Sequence, residues 1–246
     1  MDGRILEGAI ETSDVERQAL ADLYYSTNGE GWTERGNWLV GDPCVNQWYG
    51  VTCDEHGGVT EVFLNYINMT GTLVESIGNL FALQLLDVSG GQIGGSIPAS
   101  IGNLKNVTYL ALVEQEFGGE IPASVGNMTK LEKFYGYTNR LEGKVPEFTN
   151  CEGLTVVSLG ENNLSGEVPS FSTNIKLQTL DLYNNNLSGS ILSFSTNIKL
   201  QKLYLHNNKL SGQLPSFSTN IKLQYLYLNN NKLSGPLPPF TSNPLL

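Results

Sequence analysis

Little in this 246-residue chain could carry out chemistry. It has two histidines, His56 and His206, and three cysteines, Cys44, Cys53 and Cys151. No Ser or Cys stands in a nucleophile setting, and acids such as Glu114 and Glu116 have no partnered base or metal motif. The expectation is no enzyme, no cofactor and no metal site. Basic residues are scarce: 14 Lys/Arg against 24 Asp/Glu give a net charge of −10, which argues against a general nucleic-acid binder. No run approaches the roughly 18 consecutive apolar residues of a membrane span. Met1-Asp-Gly-Arg-Ile-Leu6 also lacks the basic and apolar regions of a signal peptide. Two readings of that start are open: a cytosolic chain, or one whose signal peptide has been removed. The cysteines favour the second.

What is present is repetition. One unit is written eight times between Val59 and Pro238, most clearly as Leu177-Gln-Thr-Leu180-Asp-Leu182-Tyr-Asn-Asn185-Asn-Leu187-Ser-Gly189. The units start at Val59, Leu83, Val107, Leu131, Leu154, Leu177, Leu200 and Leu223, spaced by 24 residues three times and then by 23. Ser170-Phe-Ser-Thr-Asn-Ile-Lys-Leu-Gln178 recurs letter for letter at 193–201 and 216–224, which points to tandem duplication. Charge follows the same division. Residues 1–170 hold 23 of the 24 acids and 8 of the 14 Lys/Arg, whereas residues 171–246 hold Asp181 and six Lys. Such a gradient could steer a charged partner, although copying of one Lys-bearing unit accounts for it as well.

Each L-x-x-L-x-L should form a short strand with its first, fourth and sixth residues inward. Eight such strands stacked in parallel would make a sheet roughly 35–40 Å long. Asn139, Asn162, Asn185, Asn208 and Asn231 follow the strands, where a buried amide can bond backbone groups left unpaired by the bend. Ile67, Gly91 and Gln115 replace that Asn in the first three units, so the ladder is expected to be weaker there.

Residues 1–58 read as a cap. Ser13-Asp-Val-Glu16 is a capping-box pattern, and Val15, Ala19, Leu20, Leu23 and Tyr24 give one amphipathic helix to about Ser26. Trp32, Trp38 and Trp48 then cluster with Cys44 and Cys53, as expected of the specialised end that a repeat stack needs. Those two cysteines look like a local disulfide in an oxidising compartment. Nine residues apart, with no further Cys or His pair, they make a poor zinc site. Cys151 falls where Leu104 and Met128 sit in earlier units and reads as a buried structural thiol. Residues 59–246 would be the eight repeats. No cysteine pair or polar cap follows, and either the chain is part of a longer one or Pro244 and the last leucines fold over the end.

The repeat, extended by L-S-G-x-[I/V/L]-P, resembles the plant-specific class of leucine-rich-repeat proteins over roughly residues 12–240. Asp42-Pro-Cys44…Trp48-Tyr-Gly-Val-Thr-Cys53 resembles the cysteine-bearing cap of plant receptor-kinase ectodomains. Tyr25-Ser-Thr-Asn-Gly-Glu-Gly-Trp32 and Asn37-Trp-Leu39 look more like algal, protist and bacterial versions. The resemblance implies an α/β repeat fold: a right-handed solenoid with a concave parallel sheet and a helical N-terminal cap. It also implies a second short strand at Gly-x-Ile-Pro (Gly95-Ser-Ile97-Pro98), secretion, and a Cys44–Cys53 bridge.

The concave face should then carry the second, third, fifth, seventh and eighth residue of each strand. Eight of the eleven tyrosines fall at those positions: Tyr66, Tyr109, Tyr135, Tyr137, Tyr183, Tyr204, Tyr225 and Tyr227. Tyrosine supplies large contact area at low entropic cost. The sixth and seventh units share an identical linker yet differ at Thr179/Lys202, Asp181/Tyr204 and Tyr183/His206, all concave positions. The expected function is a secreted or cell-surface module binding a protein, peptide or glycan. Its contacts would be Tyr135, Tyr137, Asp181, Tyr183, Lys202, Tyr204, His206, Tyr225 and Tyr227. An inhibitor of a secreted hydrolase, similar to polygalacturonase-inhibiting members of the class, is the alternative. A structural, adhesive or ice-binding role resting on Ser172-Thr173, Ser195-Thr196 and Ser218-Thr219 is a further one. Sequons at Asn68, Asn106, Asn127, Asn163 and Asn186 are candidate glycosylation sites.

Overall fold

The computed structural model describes residues 11–246; Met1–Ile10, and with them the reading of the chain's start, lie outside the described residues. The chain forms a right-handed solenoid of about eight turns with one N-terminal helix. Short strands lie side by side in chain order: Val59–Phe63, Leu85–Asp87, Tyr109–Ala111, Lys133–Tyr135, Val156–Ser158, Thr179–Asp181, Lys202–Tyr204 and Tyr225–Tyr227. All eight are parallel and in register at the fourth position, so Val62, Leu86, Leu110, Phe134, Val157, Leu180, Leu203 and Leu226 form one row. Seven of them are fully buried, and Leu226 is half-buried. One apolar core runs from Ala19 to Leu223.

The sheet has nine strands rather than the expected eight. Val51–Cys53 adds antiparallel to Val59–Phe63. The physical reason is the exposed edge of the first repeat, whose unpaired backbone groups the cap segment covers. The helix Asp14–Ser26 begins at Ser13, whose hydroxyl accepts from Glu16 N at 3.3 Å. Its inward stripe is Glu16, Ala19, Leu20, Leu23 and Tyr24. Val15, expected on that stripe, is 53% exposed, because Glu16 takes the inward place and faces the backbone of Val59 and Ala82. Beyond the helix, Trp32 packs on Trp38 and Trp38 on Trp48, with centroids 4.9 and 5.0 Å apart. Each indole N–H donates to a backbone carbonyl, of Thr27, Tyr49 and Val40 respectively, so the buried polar atoms are satisfied. Cys44 and Cys53 are joined in a disulfide with Cα atoms 5.7 Å apart.

After the last five strands the Asn ladder forms, with Ile67 and Gly91 leaving it absent in the first two repeats. Asn185 Oδ1 accepts from Leu164 N, and its Nδ2 donates to the carbonyls of Leu159, Leu182 and Tyr183. Gln115 was expected to weaken this ladder but extends it: Oδ1's counterpart, its Oε1, accepts from Ile93 N at 2.7 Å, and its Nε2 donates to Val88 O. One more methylene still reaches both backbone groups.

A second Asn row lies at the far side of each later turn. Asn174, Asn197, Asn220 and Asn243 are buried, and Nδ2 of each donates to two carbonyls; Asn197, for example, bonds Phe171 O and Asn174 O at 2.9 Å. The equivalent residues earlier are Leu80, Leu104, Met128 and Cys151. The first three follow 3-10 helices at Glu75–Asn79, Ala99–Asn103 and Ala123–Asn127. Losing one residue per repeat removes that helix, and the Asn amide takes over the carbonyls of the tighter turn.

Second short strands occur, but broken: Thr70–Thr72 with Gln92–Gly94, Ser165–Glu167 with Asn186–Ser188, and Ser211–Gly212 with Lys232–Leu233, joined by isolated bridges such as Ser96 to Gly118. At the other end, Leu226, Leu228, Leu233 and Phe240 are half-buried, Leu245 and Leu246 are exposed, and Asn243 continues its row. The last leucines therefore do not cover the final turn.

Candidate ligand-binding face

The register fixes which side chains meet on the concave face. The fifth strand positions run Phe63, Asp87, Ala111, Tyr135, Ser158, Asp181, Tyr204, Tyr227. Two positions on, the seventh residues are Asn65, Ser89, Val113, Tyr137, Gly160, Tyr183, His206 and Asn229. Bulky and short residues alternate in blocks along both rows, and that alternation shapes the surface.

Toward the C-terminal end the expected contacts form one group of touching rings. Tyr183 lies nearly parallel to His206, centroids 5.0 Å apart with planes at 12°. His206 meets the edge of Tyr227 at 5.8 Å, Tyr227 packs on Tyr204 at 5.1 Å, and Tyr204 meets Tyr225 at 6.4 Å. Lys202 Nζ stands 5.7 Å over the Tyr225 ring, a cation–π arrangement. The Tyr183 ring occupies the space above Gly160, where an added Cβ would come within 2.3 Å of it. Burial, with the Glu161 carboxylate nearby, pushes its phenol up to about 12. Asp181 lies lower, accepting from Ser158 Oγ at 3.1 Å and Tyr183 N at 3.4 Å, and burial pushes its carboxyl up. Asp181 and Lys202 sit on different rows and make no ion pair among the described residues.

Tyr135 and Tyr137 belong to a separate group. Tyr135 packs against Tyr109 at 5.4 Å, and with Tyr137 and Tyr66 these rings wall a cleft of about 200 Å³. The floor is Asp87, Ser89, Ala111 and Val113, all buried. Tyr66 turns toward it through a left-handed backbone (φ 54°), lies over Gly90, and donates to Glu114 Oε2 at 3.1 Å. Burial raises the phenols of Tyr109, Tyr135 and Tyr137, while for Tyr66 the bond to Glu114 is the larger cause. The expected nine contacts are thus split between two neighbouring surfaces. Asp87, which is not among them, sits at the centre of the first; short residues at the fifth and seventh positions of two consecutive repeats were the available signal.

Elsewhere, Cys151 is buried and free, its thiol pushed up to about 11 by burial. Among the described residues no group of three or more His, Cys, Asp or Glu could hold a metal ion, and no helix is long and apolar enough to cross a membrane. Of the sequons, Asn68, Asn127, Asn163 and Asn186 are exposed, whereas Asn106 is half-buried with its Nδ2 donating to Phe81 O at 2.8 Å.

A family model described as a leucine-rich repeat region matches residues 60–234. The chain is a leucine-rich-repeat protein. Its relatives place it in the plant type, with the fold of receptor ectodomains. The solved structure of PEPR1–AtPEP1 superposes with a TM-score of 0.85 at 34% identity, over 92% of this chain and 32% of that one. The Arabidopsis receptor kinase HAESA, in complex with the peptide hormone IDA and the co-receptor SERK1, gives 0.71 at 33%, over 76% and 32%. Protein STRUBBELIG-RECEPTOR FAMILY 2 of Arabidopsis thaliana is 32% identical over 91 residues, 35% of this chain and 12% of that protein. This leucine-rich-repeat chain therefore spans about a third of those ectodomain chains and a smaller part of the curated relative.

Proposed function

We propose that this leucine-rich-repeat protein is an extracellular binding module, secreted or part of a cell-surface ectodomain, that recognises a peptide along its concave face. The observation that carries the reading is the continuous run of ring contacts from Tyr183 through His206, Tyr227 and Tyr204 to Tyr225. Rigid aromatic rings in mutual contact lose little entropy when a ligand covers them, the property that makes Tyr a frequent hot-spot residue. The similar ectodomains include ones solved with peptide hormones, and the Cys44–Cys53 bridge suits an oxidising compartment.

The test starts from a displayed library of random peptides selected on the protein. Tyr183→Ala combined with Tyr204→Ala is expected to weaken the selected peptides by tenfold or more, about 1.4 kcal/mol or greater. Retention of every selected peptide at unchanged Kd would place recognition elsewhere.

A further inference from the structure

Asp87 and Asp181 provide an internal comparison on one face. Both occupy the fifth strand position, and each receives on Oδ1 the N–H two residues on, from Ser89 at 3.0 Å and from Tyr183 at 3.4 Å. The second oxygen of Asp181 is also filled, by the Ser158 hydroxyl of the preceding strand. The residue opposite Asp87 on its preceding strand is Phe63, which has no donor to give. Asp87 is 5% exposed, and Ser89 N is its sole hydrogen-bond donor among the described residues. Its second oxygen has no protein donor and opens onto the cleft, where only water or a ligand's donor can meet it.

The surroundings specify that donor. Four tyrosine rings, Tyr66, Tyr109, Tyr135 and Tyr137, stand around the carboxylate, and the hydroxyl of Tyr66 is held by Glu114 at the rim. With their phenols raised, all four stay neutral at physiological pH and offer electron-rich faces. No Lys or Arg lines the cleft. A single unfilled carboxylate among aromatic rings is a poor metal site, because hard cations require several oxygen ligands. A planar, weakly hydrated cation that stacks on rings and donates in a fork is the better match.

We infer that the cleft at Asp87 is a subsite for the guanidinium group of an arginyl side chain on the ligand, taken between the rings of Tyr66, Tyr109, Tyr135 and Tyr137. The inference rests on the reading of the concave face as the ligand-binding surface, and it names one residue that the ligand carries. The acidic balance of residues 1–170 would draw such a ligand to this end of the solenoid.

The probes are N-acetyl-arginine amide, its neutral isostere N-acetyl-citrulline amide, and N-acetyl-lysine amide, each titrated into the full chain and followed by backbone amide NMR shifts. The arginine compound is expected to shift the amides of Leu85–Ser89 and Tyr109–Val113 saturably. Citrulline should leave them unmoved, and lysine should bind more weakly than arginine. Asp87→Asn should weaken arginine binding at least about tenfold. Ala111→Leu, which fills the floor without touching charge, should do the same, so a folding defect in one variant does not decide the matter. Citrulline binding as well as arginine would overturn the inference, as would lysine binding equally or more tightly, unchanged affinity in Asp87→Asn, or shifts confined to Lys202–Tyr227. If selected peptides lose affinity with Tyr183→Ala/Tyr204→Ala while arginine amide does not bind, the subsite alone is wrong. If arginine amide binds at Asp87 but selected peptides ignore the concave tyrosines, the wider reading is wrong.

Discussion

Asp181 titrates under opposing influences whose order burial decides. Burial raises its carboxyl, and the Tyr183 N–H and Ser158 hydroxyl pull it back only in part. Because the folded value lies above the unfolded one of about 3.9, the carboxyl's contribution to stability is complete below that pH. It is lost as pH rises through the raised folded value. Asp181→Asn removes this titration while keeping an oxygen for Ser158. In urea unfolding, the variant is expected to gain on the wild type between pH 3 and pH 7; a difference independent of pH would contradict the assignment. The sequence could place Asp181 at a concave position, since the Leu spacing sets which residues face out. It could not say that Ser158, 23 residues earlier, fills its second oxygen, or that Phe63 leaves the second oxygen of Asp87 without a protein donor. Those facts depend on lateral register, which strand pairing supplies and local pattern does not.

At the scale of one turn, two kinds of Asn do different work. Asn185 accepts from one buried N–H and donates to three carbonyls, whereas Asn197 only donates, its Oδ1 being buried without a protein partner among the described residues. Asn185→Leu leaves the buried Leu164 N unpaired and takes one of two donors from each of three carbonyls, which keep Asn162 Nδ2, Asn208 Nδ2 and Glu161 N, and is expected to cost about 2–3 kcal/mol. Asn197→Leu removes only a second donor from Phe171 O and Asn174 O, which keep the N–H groups of Asn174 and Leu177, and it also removes a stranded amide oxygen, so about 1 kcal/mol or less is expected. Urea midpoints of the two variants compare them directly, and an equal or reversed order would reject this account. The first ladder was legible because its Asn recurs at a fixed offset from each strand. The second was written just as regularly in Ser-Thr-Asn-Ile-Lys, yet its meaning required seeing that a 23-residue repeat lacks the 3-10 helix of a 24-residue one. Gln115 escaped for a simpler reason: the expected amide was present on a longer stem.

Across the whole molecule, stability is expected to be local, because each turn touches only its neighbours. The N-terminal end depends on the Cys44–Cys53 bridge, which holds the Trp48 segment and the strand Val51–Cys53 against the first repeat. Closing a loop of this length is worth roughly 2.5–3 kcal/mol on chain-entropy grounds. Reduction should therefore free the antiparallel strand and uncover the edge at Val59–Phe63 before the later turns are affected. All three tryptophans, Trp32, Trp38 and Trp48, lie in this region and in contact with one another. Their fluorescence reports the cap, while far-UV circular dichroism averages over the nine-stranded sheet. In the oxidised protein the two urea transitions should nearly coincide. After reduction the fluorescence transition should fall to lower urea while the dichroism transition moves much less. If both shifted equally, the solenoid would be one cooperative unit to which the cap is fully coupled; if neither shifted, the bridge would contribute nothing to holding the end closed. Either result would contradict the end-first order argued from contact topology.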